Sequence, residues 1–338
     1  MFLLFEGTCP KITPMTLTIN GKTREITGEA SLQNAVAQLC KDPNLVVTEL
    51  NGQIIDRARW AATPIAANDT LELVTFMGGG SPKPDPFILA DKEFKSRFLL
   101  GTGKFKNKAD VKESILASGA EIVTVALRRI DLEQHEDNIL QYLPNNVTLL
   151  TNTSGARTAD EAVRLAHLAK ASGQGHWIKV EVINDSKYLL PDNEATITAT
   201  KILAAEGFVV LPYVSADLYV ARRLVEAGAA AIMPLGSFIG SNQGLRARDF
   251  IKVLIEEIDI PVIVDAGIGA PSHACEAMEL GASAVLVNTA VAIADNPAAM
   301  AKAFAQAVEA GRTAYLSGLP AKRPMGEASS PLTGFLFE

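Results

Sequence analysis

Trp177-Ile178-Lys179-Val180-Glu181-Val182-Ile183, closed by Asn184-Asp185, reads as a buried β-strand: short, rich in β-branched residues and stopped by turn formers. Side chains alternate along a strand, so Trp177, Lys179, Glu181 and Ile183 share one face, and Ile178, Val180 and Val182 share the other. Two opposite charges therefore lie on one face of a segment apolar enough for a core. Burying an ionised side chain is costly unless it is paired or used. One use is a Lys–Glu pair tying two strands together. The other is chemistry, and the strand's position in the chain decides between them.

Working outward, apolar strands fall at Phe98–Leu100, Ile122–Leu127 and Val147–Thr151 before it, and at Val209–Pro212, Ala231–Leu235, Pro261–Asp265 and Ala284–Val287 after it. Helical segments lie between most of them, such as Ala159–Ala171, Thr196–Ala205, Leu218–Ala227, Ala247–Ile258 and His273–Leu280. Several stop at a glycine (Gly173, Gly207, Gly228, Gly281), as helix C-termini commonly do. Eight strands alternating with helices predict an α/β fold of the (β/α)8 TIM-barrel type over 87–317, and the even spacing favours closure over an open doubly wound sheet. The quoted strand is the fourth.

Ahead of the barrel, the chain has a different grain. Thr16–Asn20 and Thr23–Thr27 form a hairpin about Asn20-Gly21; Ser31 caps a helix through Cys40, and strands come next at Val46–Leu50 and Leu71–Phe76. This ββαββ order suits a β-grasp domain over 16–80, which ends in Met77-Gly78-Gly79-Gly80. Residues 1–15 are an N-terminal extension. The Pro-rich linker 81–86 cannot continue a sheet and marks the domain boundary, and 318–338 read as a flexible polar tail.

Composition narrows the function. A net charge of −7 over 338 residues argues against nucleic acid as a partner. No apolar run reaches the length of a membrane span. Cys9, Cys40 and Cys275 are too few and too scattered for a disulfide framework, which predicts a cytoplasmic protein. The histidines show no ligand spacing, and no metal or cofactor is expected.

In a barrel of this kind, active sites form where the strands end. Lys179 and Glu181 lie on the fourth strand, and Asp265 ends the seventh, continuing as Ala266-Gly267-Ile268-Gly269. The eighth ends in Asn288-Thr289, and the sixth runs into Gly236-Ser237-Phe238-Ile239-Gly240-Ser241. Glycine loops on this rim let backbone N–H groups approach a phosphate. Gly101-Thr102-Gly103-Lys104 lacks the spacing of a true phosphate loop and reads as a first-strand loop able to line the site. A lysine in an apolar barrel is expected to favour its neutral form, the form that attacks a carbonyl to give a Schiff base. Nearby carboxylates would move the protons of imine formation and enolisation. The residues thus predict a Schiff-base enzyme acting on a phosphorylated carbonyl compound.

The combination of Leu99–Lys104, Trp177–Ile183, Lys187-Tyr188-Leu189-Leu190-Pro191-Asp192, Met233–Ser237 with Ile239-Gly240-Ser241, Pro261–Gly269, Val287–Ala290 and Ala328–Gly334 resembles the bacterial thiazole synthase (ThiG) family of thiamin biosynthesis. Residues 16–80 resemble its ubiquitin-like sulfur-carrier protein (ThiS). The resemblance implies that Lys179 forms an imine with 1-deoxy-D-xylulose 5-phosphate, with Glu181 and Asp265 as acid–base groups. Gly240, Ala266, Gly267, Asn288 and Thr289 would hold the substrate and its phosphate. Sulfur would arrive as a thiocarboxylate on the tail glycine (Gly79 or Gly80) after an adenylating, sulfur-transferring enzyme acts on the carrier. Dehydroglycine would supply the remaining atoms, and the barrels would form a homo-oligomer. Phe238 stands where the family usually carries proline. The fusion departs further, because a carrier needs a free C-terminal carboxylate: either the chain is cut after Gly79 or Gly80, the expectation here, or the carrier domain is a docking relic and a separate carrier delivers sulfur. An aldolase-like Schiff-base enzyme on another sugar phosphate is the remaining alternative.

Overall fold

The computed structural model describes residues 14–40, 43, 46–75, 85–126 and 139–326. The residues of the N-terminal extension up to 13, Gly79 and Gly80 with linker residues 81–84, Arg128-Arg129, His135 and the tail from 327 lie outside the described residues. The chain divides between Lys83 and Pro84 into two compact units.

In the first unit, β1 (Met15–Ile19) and β2 (Lys22–Ile26) turn on Asn20 and Gly21, both at positive φ (46° and 73°), as a tight hairpin requires. The Ser31 side chain caps α1 (Leu32–Leu39) by accepting from the Asn34 N–H. Then come β3 (Val46–Leu50), β4 (Gln53–Ile55), a 3-10 segment Arg57–Ala62 and β5 (Thr70–Thr75), in the sheet order β2-β1-β5-β3-β4. The parallel β1–β5 pair at the centre, with α1 packed through Leu32, Ala35 and Val36, gives the β-grasp. Sequence reasoning missed β4 and the 3-10 segment. Ile55 and Trp60 are their buried residues, and Trp60 donates its indole N–H to the Ile55 carbonyl.

The second unit opens with a hairpin, β6 (Phe87–Leu89) and β7 (Lys92–Phe94), two strands that the sequence pattern does not separate from the barrel. Phe87, Leu89 and Phe94 pack with Leu99, Leu150, Leu211, Met233 and Leu286, plugging the end of the barrel where its strands begin. Trp177 joins this plug edge-to-face with Phe94, as a packed core tryptophan.

The barrel strands and helices are, in chain order, β8 (Phe98–Gly101), α2 (Lys108–Ser118), β9 (Ile122–Ala126), β10 (Thr148–Asn152), α3 (Ala159–Ala171), β11 (Trp177–Val180), α4 (Asn193–Ala205), β12 (Val209–Val214), α5 (Leu218–Glu226), β13 (Met233–Pro234), α6 (Arg248–Glu257), β14 (Ile263–Val264), α7 (Pro271–Glu279), β15 (Ala284–Val287), α8 (Thr289–Ala292) and α9 (Pro297–Ser317). All eight strands pair in parallel. The remaining seam, between β13 and β14, closes through the bridges Ile232–Val262 and Leu235–Asp265. Pro234 and Pro261 carry no N–H, which leaves these two strands as short ladders. Gly173, Gly207, Gly228 and Gly281 all adopt the left-handed conformation that ends a helix.

The fourth strand differs from expectation in length: its ladder stops at Val180 instead of Ile183. Beyond it the Thr153 hydroxyl takes over, accepting from the Glu181 N–H (2.8 Å) and donating to the Glu181 carbonyl (3.0 Å). Glu181 is thus held rigidly past the ladder's end. Among the described residues no helix is long and apolar enough to cross a membrane.

Candidate active site

Lys179 points into the barrel from β11, between Asn152 on β10 and Leu211 on β12. Ile178, Val180 and Val182 point the other way, into the layer between sheet and helices. The carboxylate of Asp265 is in direct ion-pair contact with the Lys179 amine, and that of Glu181 lies 3.6 Å from it. All three side chains are more than 90% buried. Glu181 Oε2 also accepts from the Asn152 amide at 3.1 Å. Asp265 Oδ1 accepts from the N–H of Ala266, a residue with φ of 52°. That left-handed turn aims the chain after β14 back across the rim.

The charge state of Lys179 corrects the sequence reading. Burial alone pushes its pKa down, but the attraction of Asp265 and then of Glu181 outweighs burial, and the net shift is upward. The resting amine is an ammonium clamped by two carboxylates, not a free base. A proton must therefore leave it before it can attack, and the clamping carboxylates are the groups placed to receive that proton.

Glycines of the rim are interleaved with the strand ends. A Cβ on Gly267 would overlap Ser237 Oγ, and one on Gly101 would fall 2.5 Å from the Asn288 Cβ. A Cβ on Gly240 would lie 2.9 Å from the Lys104 amine and 3.6 Å from Thr289 Oγ1. So Gly240, Thr289 and Lys104 share one spot, next to Asn288 and the loop 101–104. Lys104 has φ of 67°, a conformation a non-glycine residue adopts only under constraint, and its side chain makes no ion pair among the described residues. The sequence places this lysine in a first-strand loop able to line the site, though without the spacing of a phosphate loop, and gives it no role of its own; its signal is position, directly after the first barrel strand. Asn152 and Tyr213 were also missed, though Asn152 ends β10 and Tyr213 is the second-last residue of β12, each in phase with an inward leucine, Leu150 and Leu211. His273, passed over as a metal ligand, accepts from the Gly269 N–H through Nδ1 and braces the loop after β14.

Residues 88–331 match the family model described as thiazole biosynthesis protein ThiG, and residues 17–80 match the ThiS family. Thiazole synthases of Moorella thermoacetica and Acetivibrio thermocellus are 60% and 62% identical to the chain over 252 residues, covering 75% of it and 99% of each relative. A chain of the Amycolatopsis orientalis BexX/CysO complex is similar in structure, with a TM-score of 0.63 and 36% identity over 73% of this chain and all of that one.

Proposed function

The chain belongs to the ThiG family of thiazole biosynthesis proteins, with a ThiS-family domain ahead of its barrel, and from that membership we propose a lysine Schiff-base route for its reaction. Its activity is thiazole formation in thiamin biosynthesis. The observation that carries the route is Lys179, a buried ammonium between Asp265 and Glu181 at the strand ends of a plugged barrel. The substrate is 1-deoxy-D-xylulose 5-phosphate. Asp265, in contact with the amine, accepts its proton; the neutral nitrogen adds to the ketone, and water leaves as the imine forms. Glu181, steadied by Asn152 and Thr153, then moves the proton on the adjacent carbon. Dehydroglycine and the carrier's thiocarboxylate complete the ring. Borohydride reduction during turnover should fix the sugar on Lys179, and peptide mapping would find it there; an untouched Lys179 would refute the route.

The phosphate goes to the rim spot formed by Gly240, Ala266-Gly267 and Asn288-Thr289, with Lys104 as its cation. A charge-assisted hydrogen bond of about 1.5–3 kcal/mol corresponds to roughly tenfold to a hundredfold in affinity. Lys104→Gln should therefore raise KM for the phosphorylated ketose by about that factor with little change in kcat. A matched loss with unphosphorylated 1-deoxy-D-xylulose would show that Lys104 does something other than hold phosphate.

Sulfur delivery requires a carboxylate at Gly79 or Gly80, so the chain is cut there before an adenylating enzyme acts on the carrier domain. Intact-mass measurement of protein from its native host should find the carrier and the barrel as separate species. A single uncut chain active with its sulfur-activating partner would favour delivery by a separate carrier. The exposed Tyr219, Phe250 and Val253 on α5 and α6 support assembly of several barrels. The scattered cysteines support a cytoplasmic home.

A further inference from the structure

Among the buried side-chain atoms that find no hydrogen-bond partner within the described residues are three at the strand ends of the barrel: the Tyr213 hydroxyl, Asn152 Oδ1 and Asn288 Oδ1. They belong to the fifth, third and eighth barrel strands or their ends, and the charged cluster belongs to the fourth and seventh. Buried polar atoms in native proteins are nearly always satisfied, and an unsatisfied one calls for a bound partner or a functional reason. Tyr213 is the extreme of the three. It is fully buried, and the Lys179 amine sits 5.2 Å from its ring centre. Packing alone does not explain a tyrosine here, because phenylalanine fills the same volume without burying an unpaired donor.

We infer that Tyr213 is a catalytic residue of the Lys179 step, its hydroxyl donating a hydrogen bond to the ketone oxygen that Lys179 attacks. The inference rests on the Schiff-base reading above. The Lys179 ammonium gives one proton to Asp265, and the nitrogen lone pair forms the N–C bond as the carbonyl π pair moves onto oxygen. That oxygen takes a second proton from the nitrogen, then the first one back from Asp265, and leaves as water with the C–O bond broken. The product is the protonated imine, and Asp265 ends as it began. Tyr213 keeps its own proton throughout: burial, with the negative charges of Asp265 and Glu181, pushes the phenol's pKa up. It stabilises the charge that builds on oxygen, as a preorganised donor does in a dry site.

The test is the single-turnover rate of borohydride-trappable adduct formation with 1-deoxy-D-xylulose 5-phosphate, in wild type and Tyr213→Phe. The variant should slow adduct formation by about a hundredfold, as the loss of one preorganised donor does elsewhere. Its Tm should equal or exceed that of wild type, since an orphaned hydroxyl has been removed. An unchanged rate overturns the inference, as does a lowered Tm with normal adduct formation per folded molecule. Should the variant not fold, 3-fluorotyrosine at position 213 keeps the hydroxyl and makes it more acidic at the expense of one ring hydrogen exchanged for fluorine; a shifted rate supports the role and an unshifted one overturns it. Wild type separates the two claims: no trapped adduct in wild type sinks the Schiff-base reading itself, whereas an adduct formed equally fast in both proteins sinks only the role of Tyr213.

Discussion

Lys179→Ala should eliminate the borohydride-trapped adduct and reduce thiazole formation to background, a loss larger than any other single change in the chain would cause. No described neighbour can replace the amine: the Lys104 amine lies at the Gly240–Thr289 spot, and the other groups around Lys179 are carboxylates, an amide and a phenol. The variant also carries a stability signature. It leaves Glu181 and Asp265 buried without their shared cation, and removing one partner of a buried ion pair costs about 3–5 kcal/mol. The Tm of Lys179→Ala should therefore fall below that of wild type, with the barrel's far-ultraviolet circular dichroism retained at 25 °C. Thiazole formation surviving in the variant would refute the assignment of Lys179. A Tm equal to that of wild type would refute the account of the charge cluster.

The Lys179 neighbourhood also shows what a sequence can and cannot convey. The strand's alternation and its fourth place among eight were legible, because both arise from the period of a β-strand and the spacing of βα units. So was the shared rim of Asp265, Gly267 and Asn288, since it requires only that each come directly after a strand. The protonation state was not legible. It depends on a contact between residues 86 positions apart in sequence, and the alternation rule says which face a side chain takes but not how close its charge comes to another. The loop carrying Lys104 was legible as site-lining, but the lysine's own role was hidden for a related reason: a motif search asks for spacing along the chain, whereas this lysine comes near Gly240 and Thr289 through space. The plug hairpin escaped because Phe87–Phe94 is too short to show a period, and its meaning lies entirely in the barrel end it fills.

Asp265→Asn should split two measurements that a general loss of structure would move together. The substitution keeps the shape but removes the closer of the two negative charges on Lys179. An opposite charge at contact favours the charged form of its partner. Without it the amine's pKa falls, and the midpoint of the pH profile for adduct formation should move toward acid. Neutral amine would then be more abundant near pH 7 than in wild type. Turnover should nevertheless fall by about 10²–10⁴-fold, because the group that receives and returns the proton is gone. Glu181→Gln is the internal control. Glu181 lies farther from the amine and shares its carboxylate with Asn152, so the acid shift there should be smaller. Equal shifts for the two variants would mean that distance to the amine does not rank their influence. An unmoved profile in Asp265→Asn would mean that the carboxylate does not set the charge of Lys179 at all, and the proton path through Asp265 would have to be abandoned. An acid-shifted first step paired with a failing later one requires a single carboxylate that both restrains the nucleophile and carries its proton.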